Sequence, residues 1–166
     1  MDGLPKRKPA RLEKWDYSSA GAYFVTVCTR GKEMLLGAVV GGGVYDAPQI
    51  HLTAHGKVVQ DVLRQIREYK MVKVEKAVIM PNHIHLLLFV RESGRSGSSQ
   101  APNPTNAAVP QFVSLLKRRC NRLCGENLWQ RSYHDHIIRH EADDQRIWTY
   151  IDTNPAKWRE DCFYSK

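Results

Sequence analysis

Apolar and polar positions along the chain alternate between two periods. The β-branched and aromatic run Tyr23-Phe24-Val25-Thr26-Val27-Cys28-Thr29 predicts a strand. Val58, Val59, Val62, Leu63 and Ile66 share one side of a helix, which predicts an amphipathic helix over Leu52 to Tyr69. Val72 to Met80 and His83 to Val90 read as two strands joined by a Pro81-Asn82 turn. Phe112, Leu115 and Leu116 mark a second amphipathic helix over Gln111 to Cys124, with a Lys/Arg cluster on its other face and Gly125 as its stop. Leu128 to Ile138 reads as a fourth long strand or an extended segment. A third helix is predicted from Ala142 or Asp143 to about Asn154, where Pro155 favours termination.

The stretches between these elements are polar or glycine-rich. Ala38-Val39-Val40 and Val44-Tyr45 flank Gly41-Gly42-Gly43 and predict a short hairpin. Residues 1–20 form a basic lead-in, and Glu92 to Pro110, rich in Gly, Ser, Pro and Asn, reads as a flexible loop within the domain. Residues 21–166 then make a single domain. The order of elements predicts the α+β class: a ferredoxin-like (RRM-like) antiparallel sheet with helices packed on one face.

Charge narrows the partners. A formal net charge of +8 points to a polyanion, nucleic acid ahead of an anionic membrane surface. Lys117, Arg118, Arg119 and Arg122 lie on the second helix, and Arg131, Arg139, Arg146, Lys157 and Arg159 follow. Trp129, Tyr133, Trp148 and Trp158 are interleaved with them. Aromatic rings stack on bases while cations track phosphates, so the mixture fits single-stranded nucleic acid. No apolar run approaches the ~18 residues of a membrane span, and the N-terminus lacks the apolar core of a signal peptide. A cytoplasmic protein is expected, with Cys28, Cys120, Cys124 and Cys162 as reduced thiols.

The candidate chemistry starts at His83 and His85. They lie one residue apart in an apolar strand and so project from the same face, with Ile84 pointing away. Neutral imidazoles side by side suit a divalent metal, and two polar rings in such a run are costly unless something satisfies them. A third ligand must come from elsewhere in the fold. His134 and His136 share this spacing, but their flanks are polar and DNA-backbone contact or partial exposure suits them better. His51 and His55 are weaker still. Tyr150 and Asn154 are four apart and share a helix face. A tyrosine can be a covalent nucleophile and an asparagine oxygen a hard metal ligand, although a helical tyrosine is more often a packing residue. Tyr133 and Tyr164 are rival nucleophiles, and Glu75, Asp135 or Glu141 could supply a carboxylate.

Four motifs in order carry a family resemblance: Tyr23 to Thr29; Val78-Ile79-Met80-Pro81-Asn82-His83-Ile84-His85; Leu128-Trp129-Gln130-Arg131-Ser132-Tyr133 through Ile137-Ile138-Arg139; and Tyr150-Ile151-Asp152-Thr153-Asn154-Pro155. Together they resemble the single-tyrosine HUH transposases, in the REP-associated tyrosine transposase branch. The resemblance implies that His83 and His85 bind a divalent metal, Mg²⁺ or Mn²⁺, with Asn154 as third ligand and Tyr150 as nucleophile. It implies cleavage of single-stranded, hairpin-bearing DNA through a 5′-phosphotyrosine link, by a monomer or a homodimer. Lys117, Arg118, Arg119, Arg122, Trp129, Arg131 and Arg139 are the expected DNA-binding residues. A non-catalytic single-strand-binding module on the same scaffold, and a nuclease that uses water, are the alternatives.

Overall fold

A computed structural model describes residues 20–41, 47–92 and 107–164. In chain order the elements are β1 (Gly21–Cys28), β2 (Gly37–Val40), β3 (Gln49–Leu52), α1 (Ala54–Gln65), β4 (Glu68–Tyr69), β5 (Val72–Ile79), β6 (His83–Val90), α2 (Ala108–Cys124), β7 (His134–Ile138) and α3 (Glu141–Thr153). Five strands form one antiparallel sheet in the order β4-β5-β6-β1-β7. β2 and β3 make a separate two-stranded ribbon. The succession β1-α1-β5-β6-α2-β7 is the split βαβ pattern of the expected ferredoxin-like α+β class.

The helices divide between the two faces of the sheet. Tyr23, Val25 and Val27 of β1 and Ile84, Leu86, Leu88 and Val90 of β6 face α1 and α2, where Val59, Val62, Phe112 and Leu116 complete the main core. α3 lies on the opposite face, packing Ile147 and Ile151 against Leu87, with Phe24, Val78 and Ile138 around them. This corrects the expectation of helices on one face only. The cause is legible in β6, which is apolar on both sides: Leu87 needs a cover of its own, as in strands buried on both faces.

Other differences have local causes. β2 pairs with β3, Gly37 opposite Leu52 and Val40 opposite Gln49, so Leu52 is the end of a ribbon rather than the start of a helix. α1 begins after Thr53, whose hydroxyl accepts the Gly56 N–H at 3.1 Å as a cap. It ends at Gln65, and Glu68–Tyr69 turns back on β5. α2 starts three residues before the expected Gln111, because Pro110 falls in a first turn that tolerates it. Gly125 closes α2 in the left-handed conformation at φ 73°, as expected. The expected strand over Leu128–Ile138 is interrupted. Trp129 bridges Thr29 and His134–Ile138 pairs with β1, while 131–133 leave the register. The lead-in over 1–19, the predicted Val44-Tyr45 arm and 93–106 of the loop lie outside the described residues. No described helix is long and apolar enough to cross a membrane.

Two details of this frame position the site. A bulge between Val74 and Lys76 reverses the alternation of β5, so that Val78 stands beside His85 on the α3 face. Gly56 lets α1 press against the loop ahead of β2, where a Cβ would stand 1.9 Å from the Leu36 carbonyl oxygen. Leu36 in turn donates its N–H to Pro81 O at 2.9 Å, holding the turn that precedes His83.

Candidate metal and nucleophile site

His83 and His85 project from β6 toward α3, fully or almost fully buried, with their Nε2 atoms 2.9 Å apart. Each ring is held from behind. Asn82 donates its carboxamide N–H groups to Lys32 O at 3.1 Å and Phe163 O at 2.8 Å, which turns its Oδ1 toward His83 Nδ1 at 2.8 Å. His83 Nδ1–H therefore donates to Asn82, and its Nε2 carries the lone pair. His85 Nδ1 meets the Thr26 hydroxyl at 2.8 Å from the neighbouring strand, in register opposite it. With that proton donated to Thr26, both Nε2 lone pairs point into the same space. Such partners behind the rings are characteristic of metal-binding histidines.

Burial and the neighbouring His85 bring the His83 pKa down to about 3, and burial also lowers that of His85, so both rings are neutral near pH 7. Phe24 stacks on His85 at 5.1 Å between ring centroids, and Phe163 and Trp158 lie 4.8 and 5.9 Å from His83. The donor pair is thus enclosed by apolar rings.

α3 supplies the other side. Glu141, Asp143 and Asp144 in its first turn complement the helix dipole. At its far end Asn154 keeps helical angles, φ −56° and ψ −44°, although Pro155 disfavours them. This keeps Asn154 one turn beyond Tyr150. The Tyr150 hydroxyl lies 3.4 Å from His85 Nε2 and donates to Asp161 Oδ2 at 3.0 Å. Burial first, and then the adjacent Asp161, raise the tyrosine pKa. Asn154 is buried, donates Nδ2 to Asp161 Oδ2 at 2.8 Å, and leaves its carboxamide oxygen without a partner.

Asp161 is the residue sequence reasoning missed. It follows a 3₁₀ turn at Trp158–Glu160 that brings the chain back over the sheet, and its Oδ1 accepts the Phe163 N–H at 2.7 Å. Although burial opposes ionisation, the neighbouring His85 ring and the hydrogen bonds from Phe163 and Asn154 outweigh it, and its carboxyl is held well below the usual range. Ligand-type atoms of His83, His85 and Asp161 all lie within 4.8 Å of one another. No spacing pattern links Asp161 to the histidines. The available signal was Trp158 and Phe163, two large rings bracketing it in a polar segment.

The remaining candidates are placed elsewhere. His136 is exposed and bonds Asp143 at 2.7 Å, His55 pairs with Glu126 at 3.2 Å, and Glu75 pairs with Lys73 at 2.8 Å. Asp135 is half-buried and Glu141 exposed. Tyr133 is buried in the main core, and Tyr164 packs edge-on against Trp158 at 5.2 Å. Arg118, Arg122, Arg131 and Arg139 are exposed and Arg119 half-buried.

Two expected DNA contacts change character. Trp129 is buried in the α1/α2 core, so it presents no face to a base. Lys117 donates to three carbonyl oxygens, Gln130 at 2.7 Å, Ser132 at 3.0 Å and Arg131 at 3.3 Å, anchoring the segment that leaves the register. Burial draws its pKa down to about 8, and the three carbonyls are what it has in place of water. Lys117→Met should cost about 1–3 kcal/mol through unsatisfied carbonyls, with the salt dependence of DNA binding unchanged. Urea unfolding and a binding titration over ionic strength check the two halves.

The geometry is thus an antiparallel split βαβ sheet carrying a His-x-His strand beneath a tyrosine-bearing helix. No family model matches the chain. A Haemophilus influenzae protein described only as uncharacterized is 29% identical over 177 residues, covering 98% of this chain and 95% of its own. The REP-associated tyrosine transposase of Escherichia coli K12 is 22% identical over 142 residues, covering 85% of this chain and 70% of its own. A solved structure of a REP-associated tyrosine transposase bound to a REP hairpin superposes with a TM-score of 0.59 at 20% identity, covering 89% of this chain and 74% of that one, and shares the fold. In sequence and in fold the chain is similar to the REP-associated tyrosine transposases.

Proposed function

We propose that this protein cuts and rejoins single-stranded DNA carrying hairpins, through a 5′-phosphotyrosine link on Tyr150. A divalent metal, Mg²⁺ or Mn²⁺, would be held by His83, His85 and Asn154. The observation that carries the reading is the convergence of Tyr150 Oη, both histidine Nε2 atoms and the unpartnered Asn154 oxygen in one buried site. Two neutral imidazoles and a carboxamide oxygen with nothing else to bond are a donor set that fits such a cation.

In this reading Tyr150 Oη bonds to the scissile phosphorus as the bond from phosphorus to the 3′ oxygen breaks. The phenol loses its proton, the departing 3′ oxygen gains one, and the DNA 5′ end stays on the protein. The reverse attack by a 3′-hydroxyl rejoins strands without an external energy source, because the phosphodiester energy is kept in the link. When bound, the metal supplies Lewis-acid polarisation of the phosphate. His83 and His85, fixed by Asn82 and Thr26, orient that centre. Phe24, Trp158 and Phe163 limit water beside it. Arg118 and Arg122 sit on α2, across the sheet from Tyr150, and would hold phosphates remote from the cut, such as those of a hairpin stem; Arg119, Arg131 and Arg139 would add to the same field.

Incubating the chain with a labelled single-stranded hairpin DNA and Mn²⁺ tests this directly. A protein–DNA adduct that survives denaturant is expected, absent with EDTA and absent in His83→Ala. Tight binding without an adduct for any DNA and metal tried would make the protein a binding module. Cleavage without an adduct would assign the attack to water.

A further inference from the structure

We infer that Asp161 is itself a ligand of the metal, an anionic fourth protein donor delivered by the segment after α3. The inference rests on the metal centre proposed above and extends it beyond the Tyr150–Asn154 element.

Three observations carry it. The first is distance. A cation with bonds of about 2.1 Å sets neighbouring ligand atoms about 3 Å apart and opposite ones about 4.2 Å apart. The two Nε2 atoms are 2.9 Å apart and Asp161 Oδ2 is 4.0 Å from His85 Nε2, so both separations already match. The second is charge. The Asp161 side chain is 1% exposed, and the imidazole beside it is equally buried. A buried carboxylate facing neutral rings is a net negative site, and buried charges in proteins are paired or bound to metals. The third is how the residue is held. Phe163 N–H fixes Oδ1, and Asn154 Nδ2 and the Tyr150 hydroxyl fix Oδ2. The Asn154 carboxamide thereby orients Asp161 with its nitrogen while its oxygen stays uncommitted. One asparagine can thus serve both ligands.

The chemistry that follows is a centre of two imidazoles, one carboxamide oxygen and one carboxylate. Hard oxygen donors in equal number with nitrogen suit Mn²⁺ and Mg²⁺. Removing the only formal negative charge among the donors should therefore weaken metal binding more than it disturbs the fold.

The test is Mn²⁺ binding to the full chain by calorimetry, with the free-ion signal in electron paramagnetic resonance as a second measure. Asp161→Asn is nearly isosteric, and circular dichroism checks that it folds. Asp161→Ser is the second variant should the first unfold. The expected result is a Kd at least tenfold weaker in the Asp161 variant than in wild type, with His83→Ala weaker still. Wild-type affinity in a folded Asp161 variant would overturn the inference while leaving the histidine centre standing. Failure of the wild-type chain to bind Mn²⁺ at all would overturn both.

Discussion

Replacing Tyr150 with phenylalanine is expected to abolish covalent capture of DNA while the fold, metal binding and non-covalent DNA binding persist. The substitution keeps the ring that packs edge-on against Phe24 at 5.9 Å and against His85 at 5.2 Å. It removes the hydroxyl, and with it one hydrogen bond to Asp161. Losing a single half-buried hydrogen bond costs about 1 kcal/mol, too little to unfold a domain of this size. The chemistry has no such tolerance. Removing a covalent nucleophile typically costs several powers of ten, so adduct formation should fall by at least about a thousandfold. Tyr133 is buried in the opposite layer and Tyr164 is held against Trp158, which leaves neither beside the histidines. An adduct of wild-type intensity in Tyr150→Phe, seen on a denaturing gel, would sink the tyrosine assignment.

Gly56→Ala is expected to destabilise the fold strongly although it adds a single methyl group. At an ordinary helix position the exchange gains about 1 kcal/mol, since alanine is the better helix former. Here the added carbon would stand 1.9 Å from Leu36 O and 3.0 Å from its carbonyl carbon. Backbone atoms cannot turn aside as a flexible side chain can. The loop ahead of β2 must move, and overpacking of this kind costs about 2–3 kcal/mol or more, so the clash wins. The displacement would reach the site, because Leu36 holds Pro81 and the next residue, Asn82, orients His83. Chemical denaturation should show the midpoint shift, and Mn²⁺ affinity should fall with it. A stability equal to wild type would mean that Leu36 gives way freely.

Much of this could be read from residue order. The strands at Tyr23–Thr29, Val72–Met80 and His83–Val90 and the helices around Val58–Ile66 and Gln111–Cys124 stand where the apolar periods put them. Each has an apolar face long enough to outweigh its flanks. The site was legible where it is local: His83 with His85 by strand alternation, and Tyr150 with Asn154 by the helical turn. Joining those two pairs needed the family resemblance, since no period spans the 65 residues between His85 and Tyr150. What escaped was non-local or carried by single atoms. Asp161 reaches the histidines only because a turn after Pro155 folds back. Lys117 and Trp129 looked like a cation and a ring for DNA, yet one is engaged by three carbonyls and the other is enclosed. Composition describes what a side chain can do and says nothing of whether its own backbone has claimed it.

Asn82 bridges two residues far apart in the sequence, holding Lys32 O with one amide hydrogen and Phe163 O with another. This has a consequence for synthesis. A chain emerging from the ribosome can pair β1 with β6 and bury most of its core well before residues 161–163 are free. Until they are, Asn82 lacks one of the two bonds that aim it at His83, and Tyr150 lacks Asp161. A nascent or truncated chain would therefore carry the fold without the finished constellation. On the proposed function, DNA cutting would be withheld until translation has passed the last of these residues.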